Sequence, residues 1–335
     1  MVNLPKCILF NGLGGAGQRH LRLMREQLPS ARMIGFRRKG TTPLLNPDFT
    51  VNETASLESE YGIELFSNID EAYAQKPDLA VIATPTALHA AQVVEAAERG
   101  VDVFVEKPGA ASLDQAREVI STVRSSGVRF FISYQRRFHP LVVKLRKILQ
   151  RGDIGKLMSV RVVIASHVPD WHPYEDFRGL YACRSELGGG VLRTEIHEID
   201  LVTWLFGMPE RVCAAGGLRG RYDIDVEDSA ELLMDYGLFA AQLSLCFMQK
   251  KQERRLSITG QDGWIELDLI SQRLGIGHHN DEITETFTDS FDNDSLFRAQ
   301  MDYFLNHFER DDEQHLDALE RNLTIISRCE NSINH

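Results

Sequence analysis

The run Gly12-Leu13-Gly14-Gly15-Ala16-Gly17 constrains this chain more than any other feature. It spells G-x-G-x-x-G directly after the apolar stretch Cys7-Ile8-Leu9-Phe10, and it opens a helical stretch through Leu28. In that setting the first glycine permits a tight turn, the second lets backbone approach a pyrophosphate, and the third allows close packing of helix on strand. The positive end of the helix then faces the phosphates. Alone, the pattern would also describe a glycine-rich structural turn. Its place after a strand, with strand–helix alternation following, selects the dinucleotide-binding reading.

That alternation continues for about 135 residues. Arg32–Phe36 reads as a strand, Leu79–Ala83 as a buried strand ending at Thr84-Pro85, and Leu88–Arg99 as a helix closed by Gly100. Val101–Val105 and Val128–Ser133 are further strands, separated by a helix over Leu113–Ser125 that Gly127 stops. Short apolar runs separated by helices of about twelve residues mark βαβ units and a parallel sheet. After Tyr134 the pattern changes. A helix over Leu141–Gln150 ends at Gly152, Lys156–Ser166 reads as a strand, and a loop of unusual composition runs from His167 to Gly190. A helix over Glu195–Phe206 follows, and from Glu227 to Ile276 strands alternate with turns at Tyr236-Gly237 and Gln261-Asp262-Gly263. Ser295–Arg310 and His315–Arg328 look like closing helices. The expected class is α/β: a doubly wound Rossmann domain over 1–135, then an α+β domain over 136–335 built on a large, mostly antiparallel open sheet.

A chain of 335 residues is long enough for two such domains, and 43% hydrophobic with 25% charged residues suits a buried core. The net charge of −11 argues against a general binder of nucleic-acid backbones. Five cysteines, scattered and odd in number, fit reduced thiols and neither a disulfide framework nor a zinc ribbon. No apolar run reaches the ~18 residues of a membrane span, and the N-terminus reads as a strand and not a leader, so a cytoplasmic, membrane-free protein is expected.

The end of the second strand discriminates between cofactors, since an acid there suits the ribose hydroxyls of NAD and arginine suits the 2′-phosphate of NADP. Here Phe36 is followed by Arg37-Arg38-Lys39 with no acid, which favours NADP over NAD; a solvated charge run is the plain alternative. Lys107, after the strand Val103-Phe104-Val105-Glu106, is a candidate for proton transfer, because surroundings can pull a lysine from ~10.4 toward neutrality. A salt bridge to Glu106 or a phosphate contact would be the structural alternative. On the helix Glu195–Phe206, at ~100° per residue, His197, Asp200 and Trp204 share one narrow face of an otherwise apolar helix. Such a stripe must be satisfied by partners or by substrate. His197-Glu198-Ile199-Asp200-Leu201 lacks the second histidine of a zinc-protease helix, and His278-His279 stands without nearby cysteines, so no metal is expected.

The Glu106-Lys107-Pro108 element at the end of a Rossmann strand, with the glycine loop, Ala83-Thr84-Pro85 followed by His89, Tyr134-Gln135-Arg136-Arg137-Phe138, Gly188-Gly189-Gly190 and His197-Glu198-Ile199-Asp200, resembles the glucose–fructose oxidoreductase/inositol dehydrogenase family (Gfo/Idh/MocA). The resemblance covers essentially the whole chain. It implies an oxidoreductase that moves a hydride between NAD or NADP and a hydroxyl or ketone of a sugar, sugar derivative or cyclitol. It implies Lys107 and His197 as catalytic residues. Gly12, Leu13, Gly14, Gly15, Ala16, Gly17, Arg37, Arg38, Thr84, Pro85, His89, Glu106 and Lys107 would meet the cofactor. Arg137 near the domain junction, with Trp171, His172, Tyr174, Thr194 and His197, would meet the substrate. A homodimer or homotetramer joined through the C-terminal sheet is also implied. The family usually carries an aspartate three or four residues before the histidine; Thr194 and Arg193 stand there instead, and neither is a carboxylate. That departure keeps open a non-catalytic cofactor-sensing regulator, and the same architecture also implies a second enzyme class, redox-assisted glycoside cleavage with recycled NAD.

Overall fold

A computed structural model describes residues 4–37, 43–48, 50–171, 175–219, 222–278, 283–287, 292–310 and 312–333. Two compact units emerge, one of residues 1–133 and 297–320, the other of 134–296 and 321–335.

In the first unit the apolar runs become strands because both of their faces are covered, as a parallel sheet requires. β1 (Cys7–Asn11), β6 (Leu79–Ile82) and β7 (Asp102–Val105) are buried along their whole lengths. With β2 (Arg32–Phe36), β5 (Ile63–Phe66) and β8 (Phe130–Ile132) they form an all-parallel sheet ordered β5-β2-β1-β6-β7-β8. Strand order reverses between β1 and β6, and ligands of doubly wound folds bind outside the carboxyl ends at such a point. The helices are α1 (Gly15–Gln27), α2 (Leu57–Tyr61), α3 (Ile69–Tyr73), α4 (His89–Glu98) and α5 (Leu113–Ser126). Ser112 caps α5 by accepting from the Gln115 N–H, and Gly127 ends it at φ 65°, a conformation that favours glycine. A small hairpin, β3 (Leu44–Leu45) with β4 (Val51–Asn52), follows β2. The elements α2, β5 and α3 have no counterpart in the sequence reading; each is only four or five residues long, too short to display a period.

In the second unit α6 (Pro140–Arg151) begins with proline in its first turn and ends at Gly152, φ 73°. After β9 (Leu157–His167) the described residues of the 168–187 stretch hold four short 3₁₀ turns, and α7 (Val191–Thr194) and α8 (Ile196–Phe206) follow. The helix expected over Glu195–Phe206 forms from Ile196, and Glu195, at φ −95° and ψ 28°, is the joint between it and α7. The strands β10 (Arg211–Gly217), β11 (Ser229–Asp235), β12 (Ala240–Cys246), β13 (Met248–Gly260), β14 (Gly263–Asp268), β15 (Arg273–His278) and β16 (Ile283–Phe287) join β9 in an eight-stranded sheet. Its order is β10-β11-β12-β9-β13-β14-β15-β16, antiparallel throughout except for the parallel β9–β12 pair. One face carries alternating apolar residues such as Val160, Val162, Leu232, Leu243, Leu256 and Ile265, all buried.

The closing helices are α9 (Asn293–Asn306) and α10 (Gln314–Ile333). Within the first unit, Phe304 of α9 packs on Phe104 and Phe131, and His315 of α10 accepts from the Ile132 N–H at 3.1 Å. The cysteines are unpaired. Among the described residues no helix is long and apolar enough to cross a membrane.

Candidate functional site

The glycine loop turns from β1 into α1 beneath the start of the β6–α4 connection. A Cβ on Gly12, at φ 94°, would lie 2.6 Å from the carbonyl of Ala83; on Gly17 it would lie 2.0 Å from the Gly12 oxygen. Both glycines are therefore demanded by the loop's own packing. Gly14 differs, since a Cβ there would meet nothing within 4 Å. It stands exposed at the start of α1, which has no side-chain cap and no acid in its first turn. Free N–H groups at an uncapped helix start, beside open space, fit a pyrophosphate. Gly15 and Ala16 lie in that first turn, while the Leu13 side chain is buried and leaves only its backbone for a ligand. Gln18 pins the neighbouring hairpin by donating to Leu13 and Pro43 oxygens, both at 2.9 Å, and accepting from the Leu45 N–H.

Lys107 follows β7, beside β6, at the carboxyl edge of the same sheet. The Lys107–Pro108 peptide is cis. Glu106 accepts from the Lys107 N–H at 3.1 Å through Oε2, and from His20 Nε2 of α1 at 2.7 Å through Oε1. Burial alone would raise the Glu106 carboxyl. The hydrogen bond and charge of His20, with the charge of Lys107, outweigh it and hold the group at about 2. His89 is buried, with Nδ1 2.6 Å from the Pro108 oxygen and Nε2 2.7 Å from the Thr84 oxygen. Burial lowers its proton affinity despite those two carbonyls. Thr84 donates to Gln92 at 2.7 Å, and both Thr84 and Pro85 are part-exposed at the end of β6. Beyond β2, the Arg37 N–H donates to Phe66, and its buried Nε has no hydrogen-bond partner among the described residues. Arg38 and Lys39 lie outside the described residues, as do His172, Tyr174 and His279.

In the second unit the stripe of α8 meets the segment 134–138. Arg137 grips Asp200 with two bonds, Nε to Oδ2 at 2.8 Å and Nη2 to Oδ1 at 2.5 Å. Asn322 of α10 donates to Asp200 and to the Tyr134 hydroxyl, and accepts from Thr203. The Tyr134 ring presents edge-on to His197 with centroids 6.3 Å apart, and Trp204 lies 4.1 Å from the Arg146 guanidinium carbon. His197 is buried to 4% exposure. On another side of α8, Arg254 of β13 pairs with both Glu195 at 2.9 Å and Glu198 at 3.3 Å. Burial pushes the Glu198 carboxyl up, more than Arg254 pulls it down. Arg193, at one of the positions where the family has aspartate, pairs with Glu330, and Thr194 is buried. Trp171 sets its edge against Phe247 at 5.2 Å.

Sequence reasoning did not single out His20, Gln18, Tyr134 as a bonding partner, Asn322 or Arg254. For His20, Gln18 and Asn322 the signal would have been a polar side chain on a helix face otherwise apolar, as with His20 beside Leu21, Leu23 and Met24. Among the described residues no cluster of His, Cys, Asp or Glu could hold a metal ion.

Fold and loop together define a dinucleotide-binding α/β protein joined to an open-sheet unit. Residues 7–134 match the family model described as an oxidoreductase family with NAD-binding Rossmann fold, and residues 142–266 match the C-terminal domain of the same family. The chain belongs to the Gfo/Idh/MocA oxidoreductase family. Among curated relatives, 2,7-anhydro-N-acetylneuraminate hydratase of Mediterraneibacter gnavus is 31% identical, over 62% of this chain and 51% of its own. scyllo-Inositol 2-dehydrogenase (NAD(+)) of Bacillus subtilis is 30% identical, over 62% of this chain and 55% of its own. The chain thus spans about half the length of these two relatives. The WlbA dehydrogenase of Bordetella pertussis, solved with NADH and UDP-GlcNAcA, superposes with a TM-score of 0.77 at 20% identity, covering 100% of this chain and 97% of its own. At that identity the likeness speaks for the fold.

Proposed function

We propose that this protein is an NAD(P)-dependent dehydrogenase or reductase acting on a hydroxyl or ketone of a sugar, sugar derivative or cyclitol. The observation that carries the reading is Lys107 at the carboxyl edge of a parallel sheet whose glycine loop leaves space at Gly14 for a pyrophosphate. A bound nicotinamide supplies the hydride acceptor or donor. The chain's own residues do the rest. Gly12 to Gly17 hold the phosphates, and Thr84 and Pro85 line the ribose. The Lys107 Nζ takes the proton from the substrate hydroxyl on oxidation and returns it on reduction. His197 orients the substrate or relays that proton, with Trp171, His172, Tyr174 and Thr194 forming the rest of the substrate surface, while Arg137, whose donors are spent on Asp200, fixes the helix that carries His197.

NADP is the favoured cofactor. Arg37 follows β2 with its Nε unpartnered among the described residues, and the sequence Phe36-Arg37-Arg38-Lys39 carries no acid, which supports a 2′-phosphate. A homodimer or homotetramer is the proposed assembly. The curated hydratase relative favours one second reading, redox-assisted cleavage in which NAD is recycled, and net cofactor turnover separates the two. The test is a thermal-shift screen of NAD(H) and NADP(H) crossed with sugars and cyclitols, since ligands that bind the native state stabilise it by mass action. Stabilisation by NADP(H) above NAD(H), with a further rise for one polyol class, is expected. No shift with either cofactor would sink the reading.

A further inference from the structure

Two carboxyl groups share one guanidinium behind α8. Arg254 of β13 donates from Nη2 to Glu195 Oε2 at 2.9 Å, and its Nε stands 3.3 Å from Glu198 Oε1. The second approach is an ion pair without a hydrogen bond: among the described residues neither oxygen of Glu198 has a hydrogen-bond partner. All three side chains are withdrawn from water, Glu198 most of all at 2% exposure, against 8% for Glu195 and 12% for Arg254. With both acids ionised, the three groups would carry a net negative charge where water does not reach, and a buried charge without bonds is costly. The surroundings add no anchor. The cavity that Glu198 and Arg254 border is walled by Val142 and Leu145 from α6, Val162 from β9, Leu256 from β13 and Leu267 from β14. Arg255, also on its wall, pairs with Asp268 at 3.3 Å. Burial acts most strongly on the Glu198 carboxyl and raises it; Arg254 opposes, the Glu195 charge adds to the rise, and Arg136, from the segment before α6, opposes more weakly.

We propose that Glu198 is a proton-operated latch: as the neutral acid it lets the joint between α7 and α8 close on β13, and its ionisation loosens that joint. The joint is Glu195 itself, and Glu198 lies in the first turn of α8, its N–H bonding the Glu195 oxygen at 3.2 Å. Loss of the proton sets a second anion beside Glu195 with one cation between them, and opening toward water relieves the strain. The folded group binds its proton more tightly than an unfolded glutamate, near ~4.3. The stability it contributes is therefore complete below that value and is lost as pH rises toward the folded one. A consequence for the reaction, through His197 on the same helix, rests on the reading of His197 above. The proton on Glu198 and the closure of the joint do not.

Two measurements on the full-length protein check this, and neither needs cofactor or substrate, so their outcome stands apart from whether the protein is a dehydrogenase. Infrared difference spectra of wild type minus Glu198→Gln, taken from pH 5 to 9, should show the carbonyl band of a buried protonated carboxyl that fades as pH rises. Glu195→Gln leaves Arg254 to Glu198 alone, so in that variant the band should fade at lower pH than in wild type. Hydrogen exchange of the 195–199 amides follows the joint. The ratio of wild-type to Glu198→Gln exchange rates should lie near one at pH 5 and grow several-fold by pH 9, as for local opening linked to a proton. Absence of the carboxyl band overturns the proposal, and so does a band that fades at the same pH in Glu195→Gln. An exchange ratio that does not change with pH would leave the proton without a latch to operate, and overturns it as well.

Discussion

Lys107 and Arg137 carry opposite kinds of importance. Lys107 is only part-buried at a sheet edge, and its removal should matter to chemistry more than to folding. Lys107→Met keeps most of the apolar stem. Cofactor affinity measured by fluorescence should stay within a few-fold, while single-turnover hydride transfer falls by the ~10²–10⁴ of a lost general acid/base. His197→Ala should cost less, and Glu195→Gln, whose neighbour Arg254 keeps Glu198 as a partner, least of all. A wild-type rate in Lys107→Met would refute the assigned mechanism. Arg137, 6% exposed, spends two of its donors on Asp200, which is 1% exposed. Arg137→Met leaves that carboxylate without its cation, and urea denaturation should show a loss of about 3–5 kcal/mol. The sequence placed Asp200 on the right helix face. It could not supply the partners, because Arg137 and Asn322 lie 63 and 122 residues away and no local pattern links them.

Elements show where local rules sufficed. The strands β1, β6 and β7 were legible because a strand buried on both faces is a continuous apolar run, and α5 and α6 because Gly127 and Gly152 mark their ends. α2, β5 and β10 were not, since four to seven residues with half-exposed faces carry little periodicity. Nor does the amphipathic face of α9 say which sheet it covers; Phe297 and Phe304 answer that only through His20 and Phe104. Gly14→Ala adds a methyl where nothing stands within 4 Å, so apo stability should change by less than ~0.5 kcal/mol while cofactor affinity drops about tenfold or more. Gly17→Ala drives the methyl against the Gly12 carbonyl and should destabilise the apo protein outright, which melting curves would distinguish. At α6, His139 accepts from the Leu141 N–H through Nδ1 at 3.2 Å and bonds Gln272 through Nε2 at 2.9 Å. Burial lowers its pKa to about 4, the Gln272 bond opposing and Arg136 assisting. The unfolded chain therefore binds this proton first, near ~6.5. Stability from the neutral ring is complete above that value and is lost as pH falls toward 4. Protonation also removes the Nδ1 acceptor that caps the helix. His139→Asn keeps a cap, and urea titrations at pH 7.5 and 4.5 should show a smaller acid loss than wild type; equal losses would dismiss the account.

At the scale of the whole molecule, the open sheet of the second unit poses the remaining problem. Alternation gives β9, β11, β12, β13 and β14 one face of buried Val, Leu and Ile, packed on that side by α6 and α8 through Val142, Leu145 and Leu201. The other face carries Glu231, Leu233, Gln242, Arg161, Ser257 and Thr259, with the Trp264 indole lying over Gly277. Leu233 is 51% exposed there. That face mixes small and polar residues with charges that pair within it, such as Arg255 with Asp268, and a face of this kind can meet water or another sheet. We expect the protein to form a dimer or tetramer through this face, each contact burying more than ~1,000 Å². Ser257 sits mid-strand in β13, facing out between Arg161 and Glu266, where a long cation would hold a partner off without touching the core. Ser257→Arg with Leu233→Arg should shift light scattering toward monomer, while circular dichroism and cofactor binding remain as in wild type. Wild-type protein that is monomeric at micromolar concentration would refute the expectation. An assembly that survives both arginines would place the interface on another surface.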